Sequence, residues 1–189
     1  MIYIDEHIDE FDLHEALLTV SQQRRLLALR YRNERDRRLC VAAYRLLQRA
    51  LATEYGIVEP PSFCYDSAGK PMLSGFPEVH FSMSHCREAV ACVVSDTPVG
   101  IDIEAIDQYD PEVAASVMSD SEIHLIMTSP RPDVAFVKLW TMKECLYKLS
   151  GDNHHGDISH MLDHKDRHEF NTIMGQRWVC TVCRRARNL

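Results

Sequence analysis

The stretch V-G-I-D-I-E, residues 99–104, alternates apolar residues with a glycine and two carboxylates. This period of two is typical of a β-strand that buries one face. Asp102 and Glu104 then lie on the same face, roughly 7 Å apart along the strand. Two like charges held side by side repel each other unless a positive group lies between them. The stretch therefore predicts a strand whose polar face needs a cation.

The segments on either side of this strand have patterns of their own. Residues 88–95, E-A-V-A-C-V-V-S, predict a buried strand that turns at D-T-P and pairs with residues 99–104 as a hairpin. From residue 110 to about residue 128 the pattern is helical, and S-P-R-P-D interrupts it. Residues 134–149 predict a second strong helix, and R-W-V-C-T-V-C-R-R predicts a last strand near the end of the chain.

The first third of the chain is predicted to be mainly helical. Residues 1–5 read as a first strand, and F-D-L-H-E-A-L-L-T-V-S and S-Q-Q-R-R-L-L-A-L-R-Y have helical composition. The clearest helix follows them and ends near Gly56, because glycine accepts a left-handed cap. Its apolar face is formed by Leu39, Ala42, Ala43, Leu46, Leu47, Ala50 and Leu51. Residues 59–81 carry many Pro, Gly and Asp-Ser signals and predict short strands and turns.

Composition indicates an ordinary globular protein. The chain has 189 residues, 46% of them hydrophobic and 26% charged, enough for one domain or two small halves with a shared core. No stretch reaches the roughly 20 apolar residues that span a bilayer, and the acidic start M-I-Y-I-D-E-H-I-D-E-F is unlike a signal peptide. Its seven cysteines, an odd number, indicate reduced core thiols. We expect a cytoplasmic protein with no membrane contact.

The net charge of −7 is unevenly distributed. Residues 24–49 contain nine arginines against Glu34 and Asp36, a local charge of +7, so the remainder carries −14. A short basic stretch in an acidic chain predicts a local anionic ligand, whereas nucleic-acid binding needs a broader basic face. The alternative is that most of these arginines form a solvated helix face.

The helix at residues 134–149 supplies two more charged groups. Its predicted buried stripe is Leu139, Met142, Leu146 and Leu149. Glu144 and Lys148 lie one turn apart, on roughly the opposite side, with Val137 and Thr141.

Three acids and a lysine can hold a divalent ion together with a substrate phosphate, which is how Mg²⁺ is usually bound. Taken singly, paired carboxylates on a strand are more often exposed edge residues. A Glu/Lys pair one helical turn apart is more often a surface ion pair.

The residue types in these segments, and their order, form motifs that are specific to one protein family. V-G-I-D-I-E at 99–104 and K-L-W-T-M-K-E-C-L-Y-K-L-S-G at 138–151 closely resemble the two signature motifs of the 4′-phosphopantetheinyl transferases of the surfactin-synthetase-activating type. G-K-P at 69–71 and H-F-S-M-S-H at 80–85 are similar to the phosphate-binding segments of that family, in the same order. Glu122 also matches. The resemblance covers about residues 20–150.

The resemblance implies an activity and a set of site residues. These enzymes transfer the 4′-phosphopantetheine arm of coenzyme A to a serine of an apo acyl or peptidyl carrier protein and release adenosine 3′,5′-bisphosphate. It implies that Asp102, Glu104 and Glu144 bind Mg²⁺, and that Lys148 binds the phosphate and stabilises developing charge. Glu144, or a water on the metal, would take the serine proton. Asp102, Glu144 and Lys148 are thus the implied catalytic residues, and Glu122 is a possible additional ligand.

The resemblance also implies the coenzyme A contacts. Lys70, Ser84 and His85 match residues that hold the nucleotide phosphates, and basic residues just before the long helix hold the 3′-phosphate. Arg24, Arg25 and Arg38 are the nearest matches for this last role. The chain departs from the family at Ser82, where asparagine is frequent, and at Cys86, where serine is frequent.

The implied fold is α+β, with two similar halves related by a pseudo-twofold and the active site between them. The boundary is expected near Pro98, giving halves of residues 1–98 and 99–189, and a single chain holding both halves is expected to be a monomer. The alternative function is a non-catalytic coenzyme A-binding or carrier-docking module, which is expected to lose the metal acids.

A zinc site in the tail is a weaker alternative. Its potential ligands are Cys180, Cys183, His154, His155, His160, His164 and His168. In W-V-C-T-V-C the strand alternation places the two cysteines on opposite faces, and the histidines at 160, 164 and 168 have the spacing of a helical stripe.

Overall fold

The computed structural model describes residues 1–150 and 158–186. Its strands are β1 (Ile2–Asp5), β2 (Phe63–Tyr65), β3 (Pro71–Leu73), β4 (His80–His85), β5 (Val90–Ser95), β6 (Gly100–Ala105), β7 (His168–Met174) and β8 (Trp178–Arg185). Its α-helices are α1 (Leu13–Thr19), α2 (Gln22–Ala28), α3 (Glu34–Tyr55), α4 (Pro111–Val117), α5 (Asp120–Thr128) and α6 (Pro132–Ser150). The predicted α+β class is confirmed. In the described ranges, no helix is long and apolar enough to cross a membrane.

Two three-stranded sheets share one strand order. In the first sheet β5 lies between β1 and β4, and in the second β8 lies between β6 and β7, with every pairing antiparallel. In each sheet, therefore, the third strand along the chain is the central one, and a long helix follows the first strand. The short strands β2 and β3 pair with each other and form a separate two-stranded sheet. This repeated topology is what two similar halves require.

The long helix α3 forms the core of the first half. It begins after Asn33, whose side chain accepts a hydrogen bond from the Arg35 amide, and it ends at Gly56 with φ of 67°. That left-handed conformation suits glycine, as predicted. The apolar face of α3 packs on β5 and joins a cluster that includes Leu47, Leu51 and Val94.

The helix α6 lies against β6 and β8 in the second half. It approaches β6 so closely at Gly100 that a Cβ atom there would lie 2.0 Å from the Cys145 carbonyl oxygen. Thr141, fully buried, bonds through Oγ1 to the Thr181 hydroxyl of β8 at 2.8 Å. Gly100 therefore allows α6, which carries Glu144, to pack directly on β6, the strand of the first signature motif (the signature strand), which carries Asp102.

A side-chain hydrogen bond links the two halves beside the signature strand. The Ile101 amide of β6 donates to Oγ of buried Ser82 on β4 at 3.1 Å. Ser82 thus still makes a useful hydrogen bond at the position where the family often has asparagine. The bond also holds β4 and β6 next to each other, so that their polar side chains meet.

The structure corrects several local predictions. The hairpin between residues 88–95 and 99–104 is wrong, because β1 and β4 already occupy both edges of β5, while β6 pairs with β8. The helical pattern at 110–128 is two helices, interrupted where Met118 and Ser119 are extended, and Ser119 caps the start of α5. Of the predicted stripe on α6, Leu146 and Leu149 are buried, whereas Leu139 and Met142 are only partly buried. Val137 and Thr141, predicted on the opposite side, are buried as well, because α6 has the sheet on one side and α5 on another.

The histidines at 160, 164 and 168, which have the spacing of a helical stripe, do not share a helix. His160 ends a 3-10 turn and His168 begins β7. Cys180 and Cys183 belong to different apolar clusters on the two sides of the sheet, as the alternation predicts. The histidines at 154 and 155 lie outside the described residues.

Candidate active site

The positive group that the signature strand requires is Lys148 of α6. Its Nζ lies 2.6 Å from Oδ1 of Asp102 and 2.9 Å from Oγ of Ser84. The Ser84 hydroxyl itself donates to the same Asp102 oxygen at 2.7 Å. Asp102 is 2% exposed, so the carboxylate of this ion pair is shielded from water, whereas the Lys148 side chain is partly exposed. The predicted elements β4, β6 and α6 therefore bring Ser84, Asp102 and Lys148 together at one point.

The other two acids remain without enough positive charge. Burial, and then repulsion by Asp102, raises the pKa of Glu104 to about 7. Burial and Asp102 likewise raise the pKa of Glu144. Lys148 opposes both shifts, but one lysine cannot balance three carboxylates. The cluster therefore stores electrostatic free energy that a bound cation would release.

A cleft of about 350 Å³ contains these groups. Seven of the predicted site residues line it: Arg24, Ser84, His85, Asp102, Glu104, Glu144 and Lys148. They come from α2, β4, β6 and α6, so both halves of the chain contribute. Tyr31, Cys40, Ala43 and Met83 complete the wall.

Lys70 lies in a second, smaller cleft of about 280 Å³. The two clefts share Met83 and Lys148, so they are neighbours on either side of that lysine. The Lys70 ammonium donates to the Leu149 carbonyl at 3.1 Å, and burial lowers its pKa. Lys70 therefore lies close to the end of α6, and apart from the acids.

The three predicted arginines differ in their surroundings. Arg24 lies over the rings of Tyr44 at 5.1 Å and Phe63 at 5.5 Å. Its Nη1 donates to Cys40 Sγ at 3.4 Å, and its Nε is buried without a hydrogen-bond partner among the described residues. Aromatic rings hold a guanidinium without neutralising it. Arg24 is therefore available to an anion in the cleft.

Arg38 is engaged elsewhere. Its guanidinium donates to the Phe11 carbonyl at 2.7 Å and pairs with Glu34 at 2.9 Å. These contacts join the segment before α1 to α3, and Arg38 lines neither of the two clefts. Arg25 is half-buried on α2 and does not line either of the two clefts. Of the three arginines, only Arg24 lines the cleft that contains Asp102, Glu104 and Glu144, called the acids' cleft below.

Glu122 is also placed outside that cleft. Its carboxylate accepts from the Ser119 amide at 2.8 Å, in a capping box at the start of α5. The same oxygen pairs with Lys143 at 2.8 Å. Both contacts are made by Oε2 of Glu122, and this residue does not line the cleft of the other three acids.

Sequence reasoning missed two residues of α6. Trp140 hydrogen-bonds the Glu104 carboxylate from α6, which lowers the pKa of Glu104 against the larger upward effects. It lies one helical turn before Glu144, a spacing that could have revealed it. Lys143 carries no apolar or ligand pattern, and nothing in the sequence marked it as buried.

The carboxylates are suited to a hard divalent cation. Across residues 1–150 and 158–186, no group of three or more His, Cys, Asp and Glu side chains is already arranged as a metal site. Lys148 holds Oδ1 of Asp102, but Oδ2 is buried and has no partner in the described part of the chain. An unpartnered buried carboxylate oxygen beside two further acids is the donor set that Mg²⁺ and similar ions prefer.

Comparison with known proteins agrees with this geometry. Residues 98–183, from the turn before β6 into β8, match the model of the 4′-phosphopantetheinyl transferase superfamily. The 4′-phosphopantetheinyl transferase psf-1 of Bacillus pumilus is 34% identical over 135 residues, 70% of this chain and 58% of the relative. The 4′-phosphopantetheinyl transferase gsp of Aneurinibacillus migulanus is 32% identical over 151 residues, 78% of this chain and 61% of the relative.

The acid-rich cleft and these matches define the class of the matched region: residues 98–183 belong to the 4′-phosphopantetheinyl transferase superfamily. Within it, the similarity extends to the type predicted from the motifs. The 4′-phosphopantetheinyl transferase Sfp of Bacillus subtilis strain 168 is 25% identical over 153 residues, 79% of this chain and 68% of the relative. The chain thus spans between about three fifths and two thirds of the length of these relatives.

Proposed function

We propose that this protein transfers the 4′-phosphopantetheine arm of coenzyme A to a serine hydroxyl of an apo acyl or peptidyl carrier protein. Adenosine 3′,5′-bisphosphate is the second product. The observation that carries the proposal is the meeting of Lys148, Asp102 and Ser84 with two under-compensated acids in one cleft. A metal ion would supply the positive charge that these acids lack, and the pyrophosphate would supply an anion that Lys148 and Arg24 can bind.

Magnesium is the proposed metal. Asp102, through its unpartnered Oδ2, together with Glu104 and Glu144, would hold it. When bound, Mg²⁺ neutralises the pyrophosphate oxygens and makes the phosphorus easier to attack. Its charge would also relieve the repulsion among the three acids.

Glu144 is the proposed general base. Its half-buried carboxylate lines the cleft, on the helix that also carries Lys148, and a carboxylate within reach of a reacting hydroxyl can take its proton. The serine oxygen forms a bond to the phosphorus next to the pantetheine arm, and the bond from that phosphorus to the bridging oxygen breaks. Glu144 takes the serine proton, while the Lys148 ammonium donates hydrogen bonds to the phosphate oxygens as their charge grows.

The remaining basic groups are proposed to bind the nucleotide. Arg24 and His85 line the cleft of the acids and would contact phosphates there, with Ser84 as a neutral partner. Lys70, in the adjoining cleft, would contact coenzyme A from the other side of Lys148. Since one chain supplies every one of these side chains, we propose that a monomer in the cytoplasm is sufficient for transfer.

The direct test is transfer itself. The protein is incubated with coenzyme A, Mg²⁺ and several apo carrier proteins, and intact-mass spectrometry is expected to show a gain of about 340 Da on a carrier serine. Omission of Mg²⁺ with added chelator is expected to remove the gain. Binding of coenzyme A without transfer to any carrier would instead support the non-catalytic binding module and overturn the proposal.

The role of Arg24 predicts a preference between substrates. Dephospho-coenzyme A lacks the 3′-phosphate, and a charge-assisted contact contributes roughly 1.5–3 kcal/mol, so the wild type should prefer coenzyme A about tenfold or more in kcat/KM. In Arg24→Ala most of this preference should vanish, with little change in kcat. The measurement is kcat/KM for both substrates.

Arg38→Ala and Arg25→Ala are the matched controls. Both remove a guanidinium from the same basic stretch, but neither residue lines the two clefts, so both variants should keep the wild-type preference. If Arg24→Ala discriminates as the wild type does, Arg24 is held by its aromatic neighbours for stability alone, and the 3′-phosphate is bound elsewhere.

A further inference from the structure

Lys143 is the most fully buried charged residue of the described chain. Its side chain is 0% exposed, on the helix that carries Glu144 and Lys148. The ammonium lies 2.8 Å from the Glu122 carboxylate of α5. It donates to the carbonyls of Ile158 at 2.8 Å and Ser159 at 2.9 Å. These three acceptors use all three ammonium protons.

This arrangement is not needed for packing. A buried ion pair is weak evidence for stability, because taking two charges out of water offsets most of their attraction. An apolar side chain of the same length would fill the same space. An apolar side chain would not fix the orientation of α6 about its axis, because van der Waals contacts tolerate rotation. Three hydrogen bonds from one nitrogen do not.

Polar contacts hold α6 on two sides, in addition to its apolar packing against α4 and α5. On the sheet side, the helix is held by the close approach at Gly100 and by the bond between Thr141 and Thr181. On the other side, Lys143 ties it to α5 and to the 3-10 turn at 158–160. Successive residues of a helix point about 100° apart, so the roll of α6 at position 143 sets where Glu144 points.

We propose that Lys143 is a positioning residue: its three hydrogen bonds fix the roll of α6, and thereby aim Glu144 and Lys148 into the acids' cleft. Lys143 does not line that cleft and touches no substrate. Glu122, which the sequence suggested as a metal ligand, acts instead as the partner of Lys143. The inference rests on the proposed transfer, whose geometry it explains.

The test compares Lys143→Met with the double variant Lys143→Met/Glu122→Gln. Methionine keeps the length of the side chain and removes every donor, but it leaves the buried Glu122 carboxylate unpaired, so this variant is expected to melt at a lower temperature. In the double variant that charge is gone, and the melting temperature should recover. A small misplacement of catalytic groups lowers rates strongly, so kcat should stay about tenfold to a hundredfold below wild type in both variants.

Two further readouts separate positioning from general loss of stability. The KM for coenzyme A should change less than threefold or so, because Arg24, His85 and Lys70 are untouched, while the Mg²⁺ concentration for half-maximal rate should rise. Leu47→Ala, in the buried face of α3, is the control: it should lower the melting temperature and keep kcat.

The outcomes are distinct. Recovery of kcat together with the melting temperature in the double variant would overturn the inference, since the loss would then come only from a buried unpaired charge. A similar fall of kcat in Leu47→Ala would overturn it too. If the wild type transfers nothing to any carrier, it is the proposed function that fails; the inference is judged only on the ratio of variant to wild-type rates.

Discussion

Replacement of Asp102 by alanine is expected to reduce transfer to less than about one thousandth of the wild-type rate while the chain stays folded. The variant loses the oxygen that accepts from both Lys148 and Ser84, and also the unpartnered Oδ2. Stability should change little, because the Lys148 side chain is 28% exposed and can turn to water. Relief of the repulsion on Glu104 offsets part of the lost ion pair. Mg²⁺-dependent turnover and thermal melting are the two measurements.

A matched control is available just beyond the same strand. Asp107 also pairs with a basic residue, Arg87, but on the surface and outside the cleft. Asp107→Ala should therefore transfer at close to the wild-type rate. Ordinary Mg²⁺-dependent turnover in Asp102→Ala would show that the buried acid of β6 is structural, and that the metal assignment is wrong.

Glu144→Gln is expected to lower kcat by roughly two decades or more and to leave coenzyme A binding nearly unchanged. Glutamine keeps the shape of the side chain, but it cannot accept the serine proton and is a poorer metal ligand. The nucleotide contacts proposed for Arg24, His85 and Lys70 remain. Single-turnover rates give the chemical step, and calorimetric titration with coenzyme A gives the affinity.

Asp133→Asn on the same helix serves as the control. Asp133 pairs with Arg131 at 2.7 Å in the first turn of α6, away from the cleft, so its substitution should leave both quantities near wild type. If Glu144→Gln loses affinity in parallel with rate, Glu144 binds substrate and does not act as a base, and the proposed division of roles is wrong.

The sequence predicted the helices and strands of this fold better than it predicted which strands pair with each other. The alternation in residues 99–104 and the caps of α3 are local signals, and both the strand and the end at Gly56 are confirmed. Strand pairing is not local. Residues 88–95 and 99–104 are separated by a good turn, yet β5 is already covered on both edges, so β6 finds its partner near the far end of the chain.

The same limit applies to the site. Residue types and spacing identified the acids and Lys148, because a strand period and a helical turn fix which side chains share a face. They did not distinguish Arg24 from Arg38, since that difference depends on Tyr44 and Phe63 beside one and Phe11 and Glu34 beside the other.

The strand order of the second sheet has a consequence for synthesis. The central strand β8 is the last strand along the chain, and it pairs Asp102 with Thr181. The first sheet is complete by residue 95, so the N-terminal half has all its strands while the ribosome is still translating α4 to α6. Through this interval β6 leaves the ribosome with an unpaired edge, and such edges bind other extended chains. The strand that carries Asp102 is thus exposed to misassembly in the nascent protein, as β1 is before β5 has been made, and a slow or paused ribosome lengthens that exposure.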